Sequence, residues 1–173
     1  MTGSVDLHGS EGSAAGTPLR TRSIWSGVLI GIGVAAFIDE TVFHQILHWH
    51  HFYDRSTPAA GLVSDGIFHA FGWCAVVIGL LTVADLRRRS GLVPRALLGG
   101  VFTGAGAFQL YDGTIQHKIL RLHQIRYHVD LIGYDWTWNV VAVILIVTGV
   151  VLIRQSRIPD AVRTKAGPGS TRD

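Results

Sequence analysis

The chain has a single cysteine, Cys74, in the middle of an apolar stretch, and a single methionine, its first residue. An internal disulfide is excluded, and cysteine usage says nothing about redox compartment. A thiolate or thioether copper(I) site lacks its ligands. Charge is scarce too: Asp, Glu, Lys and Arg make up 16% of the 173 residues, against about 25% in ordinary soluble domains. Residues 1–20 lack the basic start and apolar core of a signal peptide. No glycine-rich phosphate loop, no Gly-x-Ser-x-Gly nucleophile motif and no nucleic-acid module occurs in the sequence.

Apolar residues, by contrast, make up 48% of the chain. Four stretches are long enough to cross the hydrocarbon core as helices, at roughly 24–47, 62–85, 95–120 and 136–154. None shows the two-residue alternation of a barrel strand. The expectation is an all-α bundle of four transmembrane helices, spanning 23–154, between an N-terminal tail (1–22) and a basic C-terminal tail (155–173), both read as disordered and cytoplasmic. Orientation follows from the basic residues. Eleven of the 15 Lys and Arg fall in the two tails, the 86–95 connection and the end of the fourth span (Arg154), leaving Arg55, Lys118, Arg121 and Arg126 on the other side. The positive-inside rule puts both termini in the cytoplasm and the two histidine-rich connections outside. Trp49, Phe52, Tyr53, Tyr134, Trp136 and Trp138 form an outer aromatic belt. The net charge of +3 reads as membrane topology, not nucleic-acid binding.

The sequence repeats itself. Gly31, Gly33, Asp39, His44 and His50 recur 73 residues later as Gly104, Gly106, Asp112, His117 and His123. At a spacing of 70, Asp65 falls on Asp135 and His69 on Asn139. The reading is two tandem helical hairpins (about 24–86 and 95–154) in the same orientation, related by an axis along the membrane normal. The paired glycines allow helices one and three to approach closely, although small residues are common in membrane helices for packing alone.

Ionisable groups inside a membrane are costly and usually face a partner. Asp39, Glu40, His44, Asp65, His69, Gln109, Asp112, Gln116 and His117 all fall in the outer half of the spans. Neutral imidazole suits zinc, copper(II) and iron, and carboxylates add oxygen ligands or fix an imidazole tautomer from behind. The expected metal ligands are His44, His50, His69, His117 and His123, with Asp39, Asp65 and Asp112 as ligands or acceptors behind them. Glu40, His48, His51 and Gln116 are expected as accessories. If the first helix continues, His48 shares a face with His44, and Asp39 stands three turns below His50. His8 reads as a tail residue and His128 as interfacial. Two alternatives stand beside the metal ion: an Asp–His network, structural or proton-relaying, without metal, and a haem with axial histidines. Haem is disfavoured because Asn139 stands where its counterpart is His69. Membrane desaturases carry about eight histidines in HxxxH and HxxHH boxes; here His44/His48 is the one HxxxH pair. Ferritin-like di-iron sites need Glu-x-x-His pairs, and the chain has none.

The motifs around Asp39/His44/Trp49-His50-His51, Asp65-Gly66/Phe68-His69 and Asp112-Gly113/His117/Leu120/His123 resemble a bacterial membrane family catalogued as domain of unknown function 2243. The resemblance covers roughly 24–153 and implies a four-helix membrane protein with histidine motifs; it carries no established activity. Two positions depart from it: Glu40, where the second copy has glycine, and Arg121, where a small or apolar residue is expected. The expected function is a membrane protein with an outward-facing His/Asp site for iron, copper or zinc. It is either a redox or hydrolytic enzyme, or a non-catalytic protein of metal uptake, sensing or metalloenzyme assembly. Its partners would be the bilayer, a second copy or a membrane metalloenzyme, with no nucleic acid.

Overall fold

The computed structural model describes residues 11–156, with side chains from residue 18 onward. Among the described residues every regular element is a helix, and there is no strand. Four α-helices follow in order: α1 (Glu11–Asp39), α2 (Pro58–Arg88), α3 (Pro94–Tyr111) and α4 (Ile132–Gln155). Proline opens both α2 and α3, where its missing N–H costs nothing, and Thr57 caps α2 by accepting from the Ala60 N–H at 3.3 Å. α1 begins at Glu11, ahead of the boundary expected at residue 23. Arg20 ties this early part to the end of α4, donating to Ser156 Oγ (2.9 Å) and the Ile153 carbonyl (2.6 Å). The remaining tail residues, 1–10 and 157–173, lie outside the described residues.

Three helical segments are long and apolar enough to cross a membrane: Pro18–Ile46, Pro58–Arg88 and Ile132–Gln155. The fourth expected span, α3, has 18 residues and is less apolar, because Arg95, Gln109 and its glycines dilute the aliphatic side chains. It is also central. α1 and α3 pack side by side, α2 leans on α1, and α4 leans on α3. Large apolar side chains such as Leu62, Ile67, Leu81, Ile144 and Val147 point outward, as they would against lipid.

The close pairing of α1 with α3 depends on absent side chains. A Cβ built on Gly31 would overlap the Val101 carbonyl oxygen, and one on Gly104 would overlap that of Val28. These contacts exchange under the spacing of 73, so α1 and α3 run parallel about a local two-fold axis. The outer packing duplicates in the same way. Gly33 meets Gly72 and Val76 of α2, while Gly106 meets Ala142 and Ile146 of α4. At these four glycines the two halves therefore make equivalent contacts.

One element was not expected. Each central helix widens at its end into a π-helical stretch, Glu40–Ile46 after α1 and Asp112–Leu120 after α3. Both stretches end alike, with a left-handed residue (φ 51° at His48 and at Arg121) and an N–H reaching six residues back, Trp49 to Phe43 (2.9 Å) and Leu122 to Gln116 (3.0 Å). This is a π-helical relative of the left-handed helix stop usually made by glycine. It reverses the chain, so the expected continuous helix through His48 and His50 does not exist. His48 is exposed and does not share a face with His44, and Asp39 is not three turns below His50. His50 and His123 instead return from the connections onto the helix ends.

Candidate metal centre

In a π-helix the hydrogen bond spans five residues, so residue i+5 sits above residue i. This stacks His44 over Asp39 (Nε2–Oδ2 3.7 Å) and His117 over Asp112 (Nε2–Oδ2 3.1 Å). The left-handed turn then brings His50 beside His44 and His123 beside His117, with ring centroids 4.5 and 4.7 Å apart. The two triads, Asp39/His44/His50 and Asp112/His117/His123, are repeat equivalents. They meet at the local axis, where the His50 and His123 rings stack 4.6 Å apart and nearly parallel, 3° between planes. All four histidines are almost fully buried, from 1% exposed at His44 and His117 to 5% at His50.

Hydrogen bonds fix which nitrogens face inward. His50 Nδ1 donates to the Ile125 carbonyl (3.0 Å), and His123 Nδ1 to the Phe52 carbonyl (2.9 Å), a reciprocal exchange between the repeats. His44 Nδ1 lies 2.9 Å from Glu40 Oε2 and 3.1 Å from Asp65 Oδ1. In each of these three rings Nδ1 carries the proton and Nε2 is left with its lone pair. Those Nε2 atoms, together with both His117 nitrogens, Asp39 Oδ1 and Asp112 Oδ2, are buried with no hydrogen-bond partner. Burial, then the neighbouring His123 and His44 imidazoles, push His50 down to about 2, so it is neutral. Ligand atoms of His50, His117 and His123 lie within 4.8 Å of one another, as do those of Asp39, His44 and His50. Buried polar atoms in native proteins are almost always paired. A cation among these lone pairs would pair them, and imidazole with carboxylate is a donor set for a transition metal.

The expected residues divide cleanly. His44, His50, His117, His123, Asp39 and Asp112 converge. Asp65 is buried behind them, accepting from the Phe52 N–H (2.7 Å) and His51 Nδ1 (2.6 Å) as well as facing His44. Glu40, held by Gln45 Nε2 at 2.8 Å, joins it. Gln116 is buried and donates to Asp112 Oδ1 at 3.0 Å. His69 stands apart: its Nε2 accepts from Trp73 Nε1 (3.1 Å), and its ring lies against Phe37 on the flank of the bundle. His48 stays on the surface, lining with His50 and His51 a shallow cavity of about 370 Å³ above the cluster. The Phe52 and Ile125 carbonyls that orient His123 and His50 were not foreseen. Backbone acceptors leave no trace in residue type, although both sit two residues after a repeated histidine.

Helices of this length and apolarity around a buried polar cluster define a multi-pass helical membrane protein. The chain belongs to the family described as "Predicted membrane protein (DUF2243)", whose pattern matches residues 26–156. Neither the curated proteins nor the solved structures include a match to it.

Proposed function

We propose that this is a four-span membrane protein that holds a transition-metal centre between its two repeats, at the extracytoplasmic end of the bundle. The observation carrying this reading is the set of buried, unpartnered Nε2 atoms of His44, His50 and His123 whose Nδ1 atoms are already engaged. His44, His50, His117 and His123, with Asp39 and Asp112, would hold iron, copper or zinc. Two equivalent triads could take one ion or two. The packed rings argue against haem, since the imidazoles touch one another and leave no plane for a macrocycle. α3 with its π-helical extension supplies the fourth span, and the 11-to-4 division of basic residues supports termini inside and the cluster outside.

A bound iron or copper ion would supply one-electron redox chemistry. Burial disfavours the hydrolytic alternative, which needs an open coordination position and access for water. A centre enclosed by protein ligands suits electron transfer or metal holding for another membrane enzyme. The protein's own share of the work is to fix the imidazole tautomers, exclude water and keep Asp39 and Asp112 beside the cluster.

The test is elemental mass spectrometry on untagged protein purified in detergent, beside a His44→Ala/His117→Ala variant. One or two equivalents of one metal, lost in the variant, is the expected result. No metal in the wild-type protein, even after reconstitution with each ion, would turn the cluster into an Asp–His network of structural or proton-relaying type.

A further inference from the structure

A crevice of about 570 Å³ opens on the flank of the bundle between α2 and α3. Ile67, Phe71 and Tyr111, all exposed on the apolar surface, stand at its mouth. Phe52, Phe68 and Phe108 form an aromatic wall inside, Phe68 stacking on the other two at centroid distances of 4.7 and 5.8 Å. At its polar end lies Gln116, 1% exposed. Its NH₂ group faces Asp112, which as a carboxylate accepts from Gln116 Nε2 at 3.0 Å. Gln116 lines the crevice, and its Oε1 atom is left buried without a donor.

The repeat provides an internal comparison. A related crevice of about 630 Å³ lies between α4 and the π-helical end of α1, lined by Trp138 and Val141 where the first has Phe68 and Phe71. At the position matching Gln116 it has Phe43, which accepts nothing. Only one of the two crevices combines a lipid-side mouth, an aromatic wall and this buried free acceptor.

We propose that the α2–α3 crevice binds a tailed hydroquinone from the lipid phase, its ring among the phenylalanines and one hydroxyl donating to Gln116 Oε1. The lipid-facing mouth calls for an apolar tail, and the aromatic faces for a flat ring. The free acceptor calls for a donor, which a hydroquinone has and a quinone lacks. The site goes beyond the metal reading and does not depend on it, although Gln116 joins the head-group position to Asp112.

The full-length protein in detergent, under anaerobic conditions, is titrated calorimetrically with 2-decyl-1,4-benzohydroquinone, 2-decyl-1,4-benzoquinone and 1-decanol. Metal content is measured on the same samples. The expected result is one hydroquinone per chain, about tenfold weaker binding of the quinone, and no saturable binding of decanol. Gln116→Leu brings the hydroquinone down to the quinone's affinity. Phe71→Trp, at the mouth and outside the histidine cluster, removes saturable binding. Equal affinities for hydroquinone and quinone, comparable binding of decanol, or unchanged binding in Phe71→Trp would each overturn the proposal. Should Gln116→Leu not fold, the ligand comparison on the wild-type chain and Phe71→Trp still decide. Protein that stays metal-free after reconstitution yet binds hydroquinone keeps this site and removes the metal reading; metal-loaded protein that does not bind it does the reverse.

Discussion

The two repeats agree at the centre and disagree behind it. Asp39/His44/His50 and Asp112/His117/His123 match in spacing, in π-helical stacking and in the backbone carbonyls that orient the outer imidazoles. Behind His44, Glu40 and Asp65 close on Nδ1, and His51 holds Asp65 from the other side. Behind His117 nothing equivalent exists, and its Nδ1 has no partner. The counterpart of Glu40 is Gly113, where a Cβ would come within 2.6 Å of Trp138. The counterpart of Asp65 is Asp135, drawn outward to Lys118 at 2.5 Å. The counterpart of His51 is Gln124. The inner imidazoles and aspartates are thus the same in both repeats, while the residues behind them differ. Under the proposed metal reading this asymmetry would tune basicity on one side, since a carboxylate behind an imidazole makes it a better donor.

The comparison breaks most severely at the axis. Gly31→Leu and Gly104→Leu each drive a side chain into the backbone of the opposite helix, so each should destabilise by at least the ~1–3 kcal/mol usual for overpacking. Because the contacts are reciprocal, the two losses should be alike in a detergent thermal melt. Gly66→Leu meets open space and should leave the melt unchanged. If only one of the two axial variants unfolds, the local two-fold is not what holds α1 to α3.

Next come the ligands. His50→Ala and His123→Ala should each deplete metal to a similar degree, because each supplies one Nε2 at the axis. A variant that loses metal at one position and retains it at the other would mean a single site built from one triad. The readout is the metal-to-protein ratio.

Much of this was legible in the sequence. The repeat spacing of 73 identified the two triads, and the glycines identified the central helix pair. The π-helical stretches were not legible, because no residue type marks them and their stop uses His48 and Arg121 in a left-handed conformation that glycine or asparagine would have signalled. A helix continuing through His48 would align Asp39 with His50 over three turns, but a chain reversal places His50 instead. His69 belongs by sequence to the same outer layer of ionisable groups as Asp65. On α2, however, Asp65 turns toward the axis and His69 toward Phe37 and Trp73 at the flank.

The supports should separate the repeats more finely. Asp65→Asn keeps the shape but removes the charge behind His44, and should weaken metal binding by about 10–100-fold, the usual effect of losing a partner behind a ligand. Asp135→Asn removes the same charge at the equivalent position, yet it touches Lys118 and no histidine of the cluster, so metal affinity should stay within about twofold. A competition titration with a chelator of known affinity reads both. Equal weakening would mean that long-range charge, not contact with His44, is what the carboxylates provide.

The smallest effect is expected at His69. His69→Ala removes an acceptor for Trp73 and a ring from the flank, but no donor facing the axis. Metal stoichiometry should be unchanged, with a loss of stability no larger than the ~1 kcal/mol of one partly exposed hydrogen bond. The equivalent residue is already asparagine, Asn139, whose Nδ2 donates to its own helix at Asp135 O (2.8 Å). If His69→Ala did release metal, α2 would have to rotate in the loaded protein to bring its imidazole inward. Asp65 would then leave His44, and the Asp65→Asn and His69→Ala losses would cease to be independent. Measuring the two changes singly and together distinguishes these cases, since distant, unconnected sites should add.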